Sequence, residues 1–125
     1  MANPAGKKGY AGEAPVKDYL VSRGFHRAYR LRTQGSMDKG DIGGIDRVVL
    51  EVKNVAKYAL SQWMRETRTE KKNAGAETAA LVIKPKGVGE TRVSEWWAVL
   101  TLEDYTQLLI DAGYGPRDND ESSRT

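Results

Sequence analysis

The sequence has no cysteine. Disulfides, thiolate zinc sites and thiol nucleophiles are therefore excluded, and the chain suits a reducing compartment. It has one histidine, His26, so a His-rich metal centre is out of reach. A lone histidine at the start of a strand reads as a surface residue. No apolar run approaches the ~18 residues needed to cross a bilayer. The first residues, Met-Ala-Asn-Pro-Ala-Gly-Lys-Lys-Gly, lack the apolar segment of a secretory signal. Together these absences give the expectation of a cytoplasmic protein without membrane contact.

What remains is a chain of 125 residues, 39% hydrophobic and 30% charged, which fits one globular domain with a highly charged surface. The net charge is +3, a weak pointer to a polyanionic partner. Residues 117–125 carry three acids and two bases, so the rest of the chain is slightly more basic than the total. The expected organisation is a single domain over 1–113, with 1–9 as a mobile basic arm and 114–125 as a disordered tail.

A helix is expected from about Ala11 to Ser22, with Val16, Tyr19 and Leu20 at helical spacing and Gly24 as its stop. Pro15 suits only a first turn, so the regular helix is expected to begin near Gly12 or to kink. Glu13 shares the inward side of this helix. It is either a solvated or capping carboxylate at a helix end or an acid aimed at a site on the sheet. Residues 26–33 alternate like a strand, with Tyr29 and Leu31 on one face and Arg30 and Arg32 on the other.

The stretch from Asp41 to Lys53 carries the chemistry. Asp41-Ile42 opens a short strand, Gly43-Gly44 a tight turn, and 47–54 a returning strand that ends Glu51-Val52-Lys53. Glu51 and Lys53 point the same way as Arg47 and Val49, while Val48, Leu50 and Val52 point to the core. The hairpin brings Asp41 beside Glu51. Two such carboxylates repel unless a positive charge lies between them, and a hard cation such as Mg²⁺ or Mn²⁺ fits. Asp46 competes as the acid but sits at the turn, where Asp is favoured for its own hydrogen bonding. The plain alternative is a salt-bridged strand face.

A second helix is expected over 60–74, with Leu60, Trp63, Met64 and Thr67 buried and Arg65, Arg68 and Lys72 forming a basic stripe. Such a stripe is a solvated face or a nucleic-acid contact. Residues 78–84 read as a strand buried on both faces, 94–101 as another, and 102–112 as a last helix capped by Thr101 and ended by Gly113. One of Trp96 and Trp97 is expected in the core and the other on the opposite face. The order implies an α/β fold, a central mixed β-sheet flanked by α-helices, with a parallel pair across the second helix.

The ordered set Lys8-Gly9-Tyr10-Ala11-Gly12-Glu13, Gly24-Phe25, Arg30, Gly35-Ser36, Gly40-Asp41-Ile42 and Glu51-Val52-Lys53-Asn54 resembles the PD-(D/E)xK nuclease superfamily. Within it the likeness is to archaeal-type Holliday-junction resolvases and related phage nucleases, over residues 7–113. The departure is Gly40 where the motif name has proline. The resemblance implies a restriction-endonuclease-like fold and Mg²⁺-dependent hydrolysis of DNA at four-way junctions, with Mn²⁺ as a substitute. It also implies a homodimer, in the cytoplasm of a prokaryotic cell or a phage-infected host. It assigns Asp41 and Glu51 as metal ligands with the Val52 carbonyl, and Glu13 as a further acid, direct or through water. Lys53 orients the attacking water. Ser36 and Arg30 are implied phosphate contacts, and Lys8, Arg32, Lys39, Arg65, Arg68 and Lys72 are further candidates for DNA binding. A duplex, flap or nick nuclease and a non-catalytic DNA-binding module are the alternatives.

Overall fold

The computed structural model describes residues 4–31 and 40–116, with side chains from Gly12 onward. The elements are α1 (Pro4–Ser22), β1 (Tyr29–Arg30), β2 (Ile42–Gly43), β3 (Val48–Lys53), α2 (Leu60–Ala74), β4 (Thr78–Ile83), a 3₁₀ segment (Glu90–Glu95), β5 (Trp97–Val99) and α3 (Leu102–Asp111). They form an α/β fold around one five-stranded mixed sheet ordered β1-β2-β3-β4-β5. Only β3 and β4 are parallel, paired from Val48↔Thr78 to Lys53↔Ile83; the other neighbours are antiparallel. The parallel pair follows from the α2 crossover, which is long enough to carry the chain back to the same end of the sheet.

Helices cover both faces of the centre. On one face α1 and the 3₁₀ segment pack on β3, through Val16, Val52, Ile42 and Trp96 with Leu20, Leu50, Val82 and Val93 around them. On the other, Trp63 and Met64 of α2 cover Leu81, Ile83 and Val99. Each fully buried aliphatic side chain contributes about 1.5–3 kcal/mol, so these two layers set the stability of the sheet. Among the described residues no helix is long and apolar enough to cross a membrane.

Several expectations need correction. The first helix begins at Pro4 rather than near Ala11 and runs through Pro15, so helical backbone replaces most of the expected arm. Pro15 removes one intrahelical hydrogen bond, and the packing of Val16 and Leu20 on the sheet offsets that loss. Of the expected strand 26–33, the described part up to Leu31 is regular at Tyr29–Arg30, where it pairs with the two residues of β2. The expected strand 94–101 loses Ser94 and Glu95 to the 3₁₀ segment and is regular at Trp97–Val99; Trp96, extended between them, donates its indole Nε1–H to the Gly89 carbonyl at 3.2 Å. Leu60, expected in the core, is 45% exposed at the first position of α2. Tyr114 turns back after α3, its N–H donating to the Leu109 carbonyl at 2.9 Å, so the ordered chain continues past 113. Residues 117–125 lie outside the described residues.

Candidate functional site

Three elements converge on the end of β3. The first is α1, whose close approach depends on Gly12. A Cβ added at Gly12 would stand 3.0 Å from Asn54 Cβ and 3.3 Å from Val52 Cγ1. The missing side chain lets the helix lie against the strand and delivers Glu13, one residue later, to the sheet. Glu13 is held there by Arg30 of β1, whose Nε and Nη2 donate to Glu13 Oε1 at 3.3 and 3.1 Å. The second element is the entry into β2. The Asp41 N–H donates to the Leu50 carbonyl at 2.7 Å, and Asp41 Oδ2 accepts from the Val52 N–H at 2.7 Å. Asp41 is thereby fixed alongside β3, as the hairpin reading required. Gly40 has a φ of +100°, and a Cβ there would stand 3.0 Å from the Leu50 carbonyl oxygen. Proline is locked near −65° and cannot occupy this position, which accounts for glycine before Asp41.

The third element is α2, and it changes the picture of the Glu51 face. The sequence alone leaves open whether that face is a cation site or a salt-bridged surface; at Val49 and Glu51 it is buried under α2. Val49 is 0% and Glu51 6% exposed. Trp63, Thr67 and Glu70 form the buried side of α2, and Glu70 is 5% exposed. Glu51 lies near enough to the Asp41 and Glu70 carboxyls for both to act on its protonation, and Asp41 acts on Glu13 in the same way. The result is a row of neighbouring groups, Arg30, Glu13, Asp41, Glu51 and Glu70, that crosses the sheet at its central strand β3 from α1 to α2. Glu70 escaped the sequence reading, although its spacing from Trp63 and Thr67 puts it on their helix face.

Protonation follows from this burial. The Glu51 carboxyl is pushed up to about 8, first by loss of solvent and then by Glu70, while Asp41 and Lys53 pull it down. Glu13 is raised by burial and by the Asp41 charge, against the pull of Arg30. Neighbouring buried carboxyls share protons or a cation.

Lys53 projects on the same side. Its Nζ lies 3.8 Å from Glu66 Oε1 and 5.6 Å from the Trp63 ring centroid. Gln62 Nε2 donates to Glu66 Oε2 at 3.3 Å, so α2 also anchors the lysine. Asp46 is an exposed turn residue ion-paired to Arg47 at 3.6 Å, away from this line. Arg65, Arg68 and Lys72 are exposed along α2. Arg30, expected at a phosphate, is engaged with Glu13. The Lys8 side chain, Arg32, Ser36 and Lys39 lie outside the described residues.

Among the described residues no three His, Cys, Asp or Glu side chains form a ready-made metal cage. The donor chemistry still suits a hard cation. Mg²⁺ is commonly held by one or two carboxylates, with waters and substrate phosphate completing the shell, and Asp41 and Glu51 supply such a pair. No family model, curated protein or solved structure matches the chain in comparisons with each.

Proposed function

We propose that the chain is a metal-dependent, structure-selective DNA endonuclease that hydrolyses phosphodiester bonds, with four-way junctions as substrate and two copies acting as a homodimer. The observation that supports this most is Asp41, just before β2, held against β3 by the Val52 N–H at 2.7 Å, next to Glu51, with Lys53 two residues on and Glu13 close by from α1. A buried carboxyl raised by loss of solvent and by Glu70 is costly to ionise without a positive charge beside it. A cation would supply that charge.

In this reading Asp41, Glu51 and the Val52 carbonyl hold Mg²⁺, with Glu13 direct or through water and Mn²⁺ as substitute. When bound, the ion lowers the pKa of a water and offsets charge developing on the phosphate. The chain's own groups do the rest. The Val52 N–H holds Asp41 in place, and Arg30 holds Glu13. Lys53 presents a positive charge beside the scissile phosphate, its stem braced by Trp63 and Glu66. Arg65, Arg68 and Lys72 bind phosphates at a distance, which makes affinity fall with salt. Two opposed strands of a junction require two sites related by a two-fold axis.

The test is a panel of four-way junction, flap, nicked duplex, blunt duplex and single strand, each incubated with Mg²⁺ at one salt concentration. Preferential cutting of the junction supports the reading. Cutting of flap or duplex alone replaces the substrate. No cutting, with no Mg²⁺ uptake by calorimetry, leaves a DNA-binding module.

A further inference from the structure

Tyr58 and Trp97 sit beside the lysine end of the candidate site and have no role in the chemistry above. Trp97 of β5 is 53% exposed and Tyr58, just before α2, is 38% exposed. Their rings meet edge to face, 6.5 Å apart at 87°. Tyr58 in turn leans on buried Trp63, 5.7 Å away at 54°, and Trp63 carries the Lys53 ammonium 5.6 Å from its centroid. A chain of ring contacts thus runs from Lys53 outward to an exposed indole. Register puts these groups at one end of the sheet: Trp97 pairs with Ile83, and the next residue, Lys84, donates its N–H to the Lys53 carbonyl at 3.0 Å.

The surroundings are basic. Lys57 precedes Tyr58, Lys84 follows Ile83, and Lys57 and Lys86 are exposed. Trp96 fills the core at 8% exposure, so the fold does not need its neighbour for burial. Protein interfaces are depleted in lysine, whereas single-stranded nucleic-acid sites combine basic grooves with aromatic faces on which bases stack. An edge-to-face pair covers one face of one ring only, and Trp97 keeps half of its surface open to solvent.

We infer that Trp97, supported by Tyr58, is a stacking platform for an unpaired DNA base near the scissile phosphate. This rests on reading the site as a DNA nuclease, and it narrows the substrate to DNA carrying unstacked nucleotides at the branch. Base–aromatic stacking is worth about 1–3 kcal/mol per base, or roughly 5- to 150-fold in affinity.

The experiment measures binding in EDTA, so that no strand is cut, by fluorescence anisotropy on a labelled blunt duplex and on the same duplex with a single-stranded extension. The parent is expected to prefer the extended duplex by at least about 5-fold, with quenching of tryptophan emission. Trp97→Ala loses the preference and keeps the affinity for blunt duplex; Trp97→Phe keeps most of it. Equal affinity of the parent for the two DNAs overturns the platform, as does an unchanged preference in Trp97→Ala. So does a parent dimer that Trp97→Ala splits into monomers by sedimentation, which makes the patch a protein interface. Should Trp97→Ala fail to fold by circular dichroism, Trp97→Phe and Tyr58→Ala carry the test: Tyr58→Ala must weaken the preference, and no change in it overturns the platform. A parent that prefers the extended duplex but cuts nothing with Mg²⁺ overturns only the nuclease reading. One that cuts DNA and shows no preference overturns only the platform.

Discussion

Replacing Glu51 by glutamine should stabilise the metal-free protein at alkaline pH. The side chain is 6% exposed, and its carboxyl is pushed from 4.5 up to about 8 by burial first, with Glu70 adding to it. The native state therefore holds this proton more tightly than the unfolded chain. Between these two values the native state binds more protons, so stability falls as pH rises, and the whole penalty is present above pH 8. Moving from pH 5 to pH 8 withdraws about 3–4 kcal/mol through this one group. Glutamine keeps the shape and has no proton to lose. The difference between Glu51→Gln and parent should then be below about 1 kcal/mol at pH 5 and about 3–4 kcal/mol in favour of the variant at pH 8. In Tm that is about 10 °C for a domain of this size. The assay is urea or thermal unfolding in EDTA at several pH values, with the difference between the two proteins removing other titrations. A parent as stable as Glu51→Gln at pH 8, or a difference that does not grow with pH, would refute the buried, proton-sharing carboxylate.

Other outcomes follow from the same geometry. Mg²⁺ at about 100 times its Kd should raise parent stability by about 2.7 kcal/mol at pH 8, with no rise in Asp41→Ala, read as a Tm shift. Gly12→Ala should slow DNA cleavage with a net stability change of about 0–2 kcal/mol, because the new methyl meets Asn54 Cβ at 3.0 Å and displaces Glu13 while alanine favours the helix by about 1 kcal/mol; unfolding and cleavage rates together check this. Asp104→Ala should cost about 3 kcal/mol or more, since Asp104 accepts from Lys71 Nζ at 2.7 Å and from the Ala79 N–H at 3.1 Å; urea unfolding measures it. Asp46→Ala should leave cleavage unchanged, as its carboxylate meets Arg47 in an exposed turn.

What could be read from the sequence was governed by local pattern. The bounds of α2 came out as read because its apolar residues recur at helical spacing and Gly75 ends it. The β3–β4 parallel pair and the return of Asp41 to β3 followed from connection lengths. The start of α1 did not, since a stretch with Pro4, Gly6, Gly9 and Gly12 has little helix propensity of its own. The burial of Glu51 was hidden for a different reason. Alternation along β3 identifies its face but not what covers that face, and α2 lands there only through the crossover. Glu70 shows the cost of attending to charge before spacing. The Arg65, Arg68 and Lys72 stripe lies on the outer face, while Trp63, Thr67 and Glu70 mark the inner one. Trp96 and Trp97 divided as strand alternation requires, one buried and one exposed.

The central claim is that Asp41 and Glu51 hold the ion that cuts DNA. Its most direct measurement is single-turnover cleavage of a synthetic four-way junction with Mg²⁺ by the parent, Asp41→Ala and Glu51→Ala. The account predicts cutting by the parent, none in EDTA, and a loss of at least about 100-fold in each variant, as for removal of one preorganised electrostatic group. Cleavage by both variants at the parent's rate would contradict it.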